Sequence, residues 1–515
     1  MPTIREPKKS SQVLSHLMHR SEGRRTALID EETTMKTLTL APYHLFQFRG
    51  DCYALDIDSS AVIKLDAPAY DALSLRLSDA PPDATTSQLT ATYGEHTSHT
   101  VLRELGWLNK KGLFRGPLRT YEDTENEAYI QRLTRMSTNK IELSLAEACN
   151  LRCAYCYVGE NEALNNGLMP REIARQAVDL VFQRAGRATE IYVTLFGGEP
   201  LLNKPVLREV IQYSQELGAE RGKKVHYSMT TNGTLLDDDI IDYIKKYNFG
   251  LMVSMDGPKD VHDGVRAFAD GRGSFDQASR NIKRLMKRRR MVTVRATISN
   301  RCLDRPRIVQ FLEDFGFTRV AMSRCVGKSH RLGPYDVGPE HNAVLQGQDD
   351  YFTDRLLGQL ERGERVRFNP WSTALSNVHD QQNRRVRCGV GRGCTTVGID
   401  GKLYPCHRYV GMEKYVLGHV STGINRERFA DYLRGYFETK TKCEECWAIN
   451  ICGGYCPWYV SHEDGTFRPP REWWCEEVRG WYERAIWLYD TLRSDYPDYF
   501  RRVVGEDGAE GPVLR

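Results

Sequence analysis

Cys149, Cys153 and Cys156 stand in the segment CNLRCAYC, with three and then two residues between them. Three thiolates on one tight loop can each bind an iron of a 4Fe-4S cube and leave the fourth iron open. The same spacing suits a zinc knuckle short of one ligand, or three small apolar side chains in a core. Eight further cysteines fall between 388 and 475, and Cys52, Cys302 and Cys325 stand apart, making fourteen. The N-terminal MPTIREPKKSSQ lacks the apolar centre of a signal peptide, and no run of about eighteen apolar residues occurs. A reducing cytoplasm and no membrane contact are the expectation, so the thiols read as metal ligands or catalytic groups before disulfides.

The elements that must position these thiols are legible as alternation. Between 141 and about 325, the strand-like runs IELSLAEA, IYVTLFGG, KVHYSMTTN, GLMVSMDG, MVTVRATIS and TRVAMSRC alternate with amphipathic stretches such as REIARQAVDLVFQRAG and VLREVIQYSQELGAE. Six βα units imply an α/β class with a parallel sheet, helices outside, and strands apolar enough for burial on both faces. Polar and Gly-rich residues recur just after the strands, where such a sheet or barrel carries its active site. Upstream, HLFQFRG, CYALDID and AVIKLD predict a three-stranded meander, followed by helices in YDALSLRL and HTVLRELGWL joined by a polar Asp/Pro/Thr stretch. Downstream, a helix-rich link precedes the cysteine-rich region, and REWWCEEVRGWYERAIWLYDTLRSDY reads as a closing helix. With 515 residues, 40% hydrophobic and 27% charged, the chain has the composition of a multidomain globular protein. A net charge of +4 gives no reason to expect nucleic acid.

The residues around the triplet narrow its chemistry. C-x3-C-x2-C with the aromatic Tyr155 before its last cysteine resembles the signature of the radical S-adenosylmethionine superfamily. Gly197, Gly198, Glu199 and Pro200 follow the second strand and are similar to that family's GGEP motif, whose backbone receives the cosubstrate's amino group. TTNGTLL, with Thr230 and Asn232, and SMDGP, with Ser254 and Asp256, resemble segments lining the cosubstrate pocket. Arg266, in HDGVR, stands where relatives hold the cosubstrate's carboxylate, a match to guanidinium geometry. Taken singly, GGEP is also a strand-ending turn, Arg266 a solvated arginine and Tyr155 a packing residue.

The C-terminal thiols read C-x12-G-x4-C, then C-x2-C-x5-C-x3-C, then C, which resembles the SPASM extension of peptide-modifying radical enzymes. The resemblance implies two auxiliary 4Fe-4S clusters, one on Cys388, Cys394, Cys406 and Cys456, the other on Cys443, Cys446, Cys452 and Cys475. Two complete sets of four argue for closed clusters that carry electrons. Without Cys394 the first set would keep an open iron. A pair of zinc ribbons is the alternative, since soft thiolate sites accept either metal. The three separate cysteines are most simply small buried hydrophobes, with Cys325 placed to face the cavity.

Sulfatase-maturing enzymes share this arrangement but usually carry an aspartate directly after the last cysteine of the first half-motif, where this chain has His407. CHRYVG and the N-terminal meander instead resemble maturases that install thioethers in ribosomally made peptides, including six-cysteine peptides and the small subunit of quinohemoprotein amine dehydrogenase. The implied architecture is a loose terminus at 1–36, a winged-helix-like peptide-recognition domain at 37–120, and a partial (β/α)6 barrel at 121–335. A helical linker at 336–385, a SPASM domain at 386–505 and a loose tail at 506–515 complete it. The implied cofactors are three 4Fe-4S clusters and S-adenosylmethionine. The implied partners are a precursor peptide or small protein with a leader, and an electron donor such as flavodoxin or ferredoxin. His407 is a weak candidate for acid/base work, since residues beside cluster ligands as often support them. A formylglycine-forming sulfatase maturase and a non-catalytic zinc scaffold are the other readings.

Overall fold

The computed structural model describes residues 43–78, 80–114, 123–157, 167–289, 291–327, 333–380, 385–390 and 395–505. The expected loose ends at 1–36 and 506–515, and Cys394, lie outside the described residues. The described chain opens with β1 (Tyr43–Phe48), β2 (Asp51–Asp56) and β3 (Val62–Leu65), an antiparallel meander that pairs Tyr43 with Asp56 and Cys52 with Leu65. Arg49 and Gly50, both at positive φ, make the two-residue turn between β1 and β2. Three helices follow, at Ala67–Leu77, Pro82–Tyr93 and Glu95–Lys110. The middle one replaces the expected polar connection. PDATTSQLTATY needs no wide apolar stripe, because Pro82 starts it and Thr85 and Leu89, one turn apart, are buried beside their neighbours.

A helix at Asp123–Arg135 leads to β4 (Lys140–Ala146) and the short β5 (Leu151–Cys153). Then come β6 (Glu190–Gly197), β7 (Lys224–Thr231), β8 (Gly250–Ser254), β9 (Arg266–Phe268), β10 (Thr293–Ile298) and β11 (Arg319–Arg324). β4, β6, β7, β8, β10 and β11 lie side by side in chain order, all parallel, while β5 pairs with β9 alone. Along β6, β7 and β10 burial alternates strictly. Ile191, Val193, Leu195, Val225, Tyr227, Met229, Val294, Ala296 and Ile298 enter the main core with Val178, Val181, Val210 and Ile211 of two helices. The other face carries Thr194 and Ser228, hydrogen-bonded at 2.9 Å, and Arg295. The strands are thus not apolar on both faces. One face makes the core and the other lines a polar interior.

Helices at Asn342–Glu361 and Ser372–Asp380 follow, then β12 (Thr396–Val397), β13 (Lys402–Tyr404), β14 (Gly418–His419), β15 (Gly423–Ile424) and the long helix Glu472–Asp495. β12 runs parallel to β4, with Thr396 beside Glu142, and β13, β14 and β15 continue antiparallel from it. The cysteine-rich region therefore shares one ten-stranded sheet with the middle region. No helix among the described residues is long and apolar enough to cross a membrane.

Candidate active site and metal centres

The site is assembled at the carboxyl ends of the parallel strands. Past β4, Cys149 opens the loop. β5 then pairs with β9 so that Cys153 lies opposite Arg266. Gly197 and Gly198 end β6 against this loop: the Gly198 N–H donates to the Ala146 carbonyl at 2.7 Å and the Glu199 N–H to that of Ala148 at 3.0 Å. A Cβ on Gly197 (φ 127°) would collide with the Ala146 carbonyl oxygen. One on Gly198 would collide with the Ala148 carbonyl oxygen and stand 3.1 Å from the Cys149 Cβ.

The Glu199 carboxylate is fully buried. It accepts from the Leu201 N–H at 3.1 Å, the Thr231 hydroxyl at 2.8 Å and the Asn232 N–H at 2.8 Å, tying the end of β6 to that of β7. Burial pushes its carboxyl up to about 7 against those donors. Asn232 extends the tie, its side-chain amide reaching Asn150 at 2.9 Å and the Cys149 Sγ at 3.9 Å. Thr230 and Ser254 stand half-buried near the ends of β7 and β8.

Asp256, fully buried after β8, accepts from Arg266 Nε at 2.8 Å, from the Thr297 N–H at 2.9 Å and from the Tyr155 hydroxyl. The Arg266 guanidinium also lies 3.8 Å from Cys153 Sγ and 5.5 Å from the Tyr155 ring centre. Arg266 thus joins the cysteine loop to β8, its charge set between a carboxylate and a thiol. Burial pushes the thiols of Cys149 and Cys153 up to about 12 and about 11, the Arg266 charge drawing Cys153 back down. Among the described residues no three His, Cys, Asp or Glu side chains converge as a single metal ion demands. A cube asks each thiolate to reach its own iron, and three inward-set thiols on one loop with a cation beside them fit that demand.

Sequence reasoning missed Glu142. This residue points from β4 into the polar interior, where it accepts from Thr396 Oγ1 at 2.7 Å and meets His407 Nδ1 at 3.1 Å. Burial alone would raise its carboxyl, yet the imidazole and hydroxyl hold it below the usual carboxylate range. The His407 ring lies 4.4 Å from that of Phe196 at the end of β6 and 6.0 Å from that of Tyr157, next to Cys156. Arg408 stacks near Tyr157 and Trp458, at 4.8 and 4.6 Å from the ring centres. Arg295 donates to Ser323 Oγ at 3.0 Å. Burial and the charges of Arg408 and Arg266 make Arg295 less basic than usual. A carboxylate alternating with Lys140 and Ser144 along β4 was the available signal for Glu142.

The C-terminal thiols gather around buried tyrosines. Tyr409 has Cys406 and Cys456 beside it, Tyr432 has Cys406 and Cys388, and burial first, then these thiols, push both hydroxyls up. The Cys443 thiol is pushed up to about 12 by burial, with Lys440 opposing and Cys452, Cys446 and Cys475 adding. Cys475 is bonded to the Tyr455 hydroxyl. Of the separate cysteines, Cys325 is buried with its thiol 3.1 Å from Asp336, while Cys52 and Cys302 are half-buried.

The radical SAM superfamily matches residues 143–300, the stretch that carries this loop and the first five parallel strands. A cysteine-type anaerobic sulfatase-maturating enzyme of Clostridium perfringens (strain 13 / Type A) is 24% identical over 364 residues, 66% of this chain and 94% of its own length. The radical SAM cyclopropyl synthase TigE of Paramaledivibacter caminithermalis is 26% identical over 350 residues, 63% of this chain and 70% of its own. The structure of native anSMEcpe with bound AdoMet superposes with a TM-score of 0.59 at 20% identity, covering 69% of this chain and 99% of that one. The chain carries a radical SAM domain and is homologous to maturating enzymes, and the superfamily implies S-adenosylmethionine and a 4Fe-4S cluster.

Proposed function

We infer that this radical SAM chain is a peptide maturase that takes hydrogen from a ribosomally made peptide and closes an intrapeptide crosslink, a Cys thioether. The observation that carries this reading is the His407–Glu142 pair beside Phe196 and Tyr157, in the interior that the Cys149 loop overlooks. Thioether closure requires a cysteine thiol to lose its proton beside a carbon that has lost a hydrogen atom. An imidazole oriented by a half-buried carboxylate suits that task. When bound, the reduced 4Fe-4S cluster supplies the electron that splits S-adenosylmethionine to methionine and a 5′-deoxyadenosyl radical. Gly197, Gly198, Ser254 and Asn232 would hold the cosubstrate, and Arg266 would keep the loop neutralised. The peptide then loses one hydrogen atom to the 5′ carbon, one proton from its thiol and one electron.

Arg295 and Arg408 project positive charge into the same interior, and no carboxylate among the described residues forms an ion pair with either. A substrate carboxylate near the reacting carbon would complete them. The meander offers β3 as an edge strand, to which a leader segment could add a fourth strand. The C-terminal thiols would hold the two auxiliary clusters of the SPASM arrangement.

Formylglycine formation is the second reading, favoured by homology to the clostridial sulfatase-maturating enzyme. Mass spectrometry of a co-encoded small peptide after anaerobic incubation separates the two. Loss of two hydrogens with no thiol left to alkylate is expected. An aldehyde with loss of sulfur would replace the thioether reading with formylglycine. Uptake of zinc without 5′-deoxyadenosine on reduction would remove both.

A further inference from the structure

Lys440 occupies a place that is costly for an ammonium. It is 7% exposed, lies against the rings of Tyr436 and Phe437 at 4.7 and 4.9 Å from their centres, and ends on two backbone carbonyls, those of Arg385 and, at 3.2 Å, Gly453. Gly454, at φ 83°, makes room for it: a Cβ there would stand 3.0 Å from Lys440 Cε and 3.2 Å from Nζ. Two carbonyl dipoles offset only part of the cost of removing a full charge from water, and a neutral amide would have clamped the same carbonyls more cheaply. Cys443 and Glu444 line the same cavity as Lys440, Gly453 follows Cys452, and Arg385 stands three residues before Cys388, so the ammonium lies amid the cysteine-bearing segments. Cys443 and Cys452 fall in one implied cluster set and Cys388 in the other. Arg387, one residue before Cys388, is within electrostatic reach of Cys452 of one set and Cys456 of the other. Tyr436, fully buried, has Cys388, Cys456, Cys452 and Cys443 around it. Lys440 and Arg387 therefore lie among the segments that carry both sets of thiols.

We propose that Lys440 and Arg387 form a cationic bridge between the two auxiliary clusters, raising their reduction potentials so that they accept the electron released when the crosslink closes. This rests on reading the eight C-terminal cysteines as two four-iron sites. A four-thiolate cluster gains one negative charge on reduction, and a nearby cation in a poorly solvated interior stabilises the reduced form more than the oxidised one. The two sets of cysteines would hold clusters able to take up the one electron left when the carbon–sulfur bond forms, and an external one-electron carrier of the flavodoxin or ferredoxin class, in its oxidised form, would be its final acceptor. Both cations are positioning residues, touching neither substrate nor cosubstrate.

The test uses the reconstituted full chain with Cys149, Cys153 and Cys156 replaced by alanine, so that about eight irons remain, all auxiliary. Their one-electron potentials are read by EPR-monitored titration. Lys440→Gln keeps a donor for the carbonyls and removes the charge. It is expected to disfavour reduction at least tenfold, about 59 mV more negative, while Lys440→Arg stays near the parent value. Full iron with parent potentials in Lys440→Gln overturns the proposal. Should that variant lose iron, Arg387→Gln is titrated instead: a negative shift supports the bridge and an unchanged potential overturns it. Fewer than about eight irons in the parent, or zinc in their place, overturns the cluster reading and the bridge together.

Discussion

Gly198, like Gly197 before it, has no room for a side chain, since a methyl group there meets the Ala148 carbonyl and the Cys149 side chain. Gly198→Ala should push the loop away from β6. The expected result is loss of about four of about twelve irons and a fall of about 100-fold in 5′-deoxyadenosine formation, the penalty for misplacing reacting groups by about an ångström. Iron analysis and product quantitation check it. His262 offers a pH test. Buried behind Asp256, it accepts from the Asp256 N–H at 3.4 Å and contacts Ser274 Oγ at 3.0 Å, and burial, then the Arg266 charge, depresses it from 6.5 to about 4. An imidazole depressed in the folded chain contributes stability that is present above its unfolded value and lost as pH falls through the folded one. About 3 kcal/mol should therefore disappear between pH 6.5 and 4 in the wild type and not in His262→Gln, read from denaturant midpoints across that range. Local pattern made Cys149, Cys153 and Cys156 legible, because three ligands on one loop are neighbours in sequence. Glu142 was not legible, since its partner His407 lies 265 residues away. The contacts of Glu199 and Arg266 were not legible, because they depend on how β6, β7, β8 and β9 come together.

At the scale of elements, β12 carries the largest departure from the sequence-derived architecture. Two residues long, Thr396–Val397 shows no strand signal of its own, and its pairing with β4 is fixed by tertiary contact. The six long parallel strands were readable because each carries enough alternating β-branched and apolar residues to declare itself. The helix Pro82–Tyr93 was not, because Leu89 as the single buried apolar side chain among its described residues leaves no stripe to detect. The β4–β12 pairing has a consequence for dissection of the chain. A version ending at 385 would leave β4 as an edge strand and uncover Glu142 and the apolar Leu143. Such edges recruit other chains. The truncated protein should elute as aggregate in size-exclusion chromatography, whereas a monomeric peak that still cleaves S-adenosylmethionine would show that the sheet closes without its C-terminal strands.

For the molecule as a whole, the N-terminal meander is built into the housing of the second cysteine set. His44 of β1 stacks on Trp447, ring centres 4.0 Å apart and planes 3° from parallel, and its Nε2 meets Glu483 at 2.8 Å. Asn450 donates to the Ile57 carbonyl at 2.6 Å, Trp487 Nε1 to Asp51 at 3.0 Å, and the Tyr53 hydroxyl to Asp490 at 3.1 Å. Phe46, Tyr53 and Leu55 share one core with Ala448, Ile451 and Leu488. Trp447 follows Cys446 and Asn450 precedes Cys452 by two, so these contacts grip the loop that bears three of the four thiols. A freely detachable recognition domain would leave iron untouched on its removal and abolish only leader binding. The shared core argues for a different outcome, since each large apolar side chain exposed costs about 1.5–3 kcal/mol. Deleting residues 43–110 should therefore lower iron from about twelve to about eight per chain while S-adenosylmethionine cleavage persists, because the Cys149 loop is held by β5, β9 and the end of β6. His44→Ala, which removes the stacks on Trp447 and Phe46 and the Glu483 contact, should weaken retention of the second set without affecting the first, seen as faster loss of iron to a chelator. Twelve irons retained in the deletion would return the meander to the role of a separable peptide-binding cap.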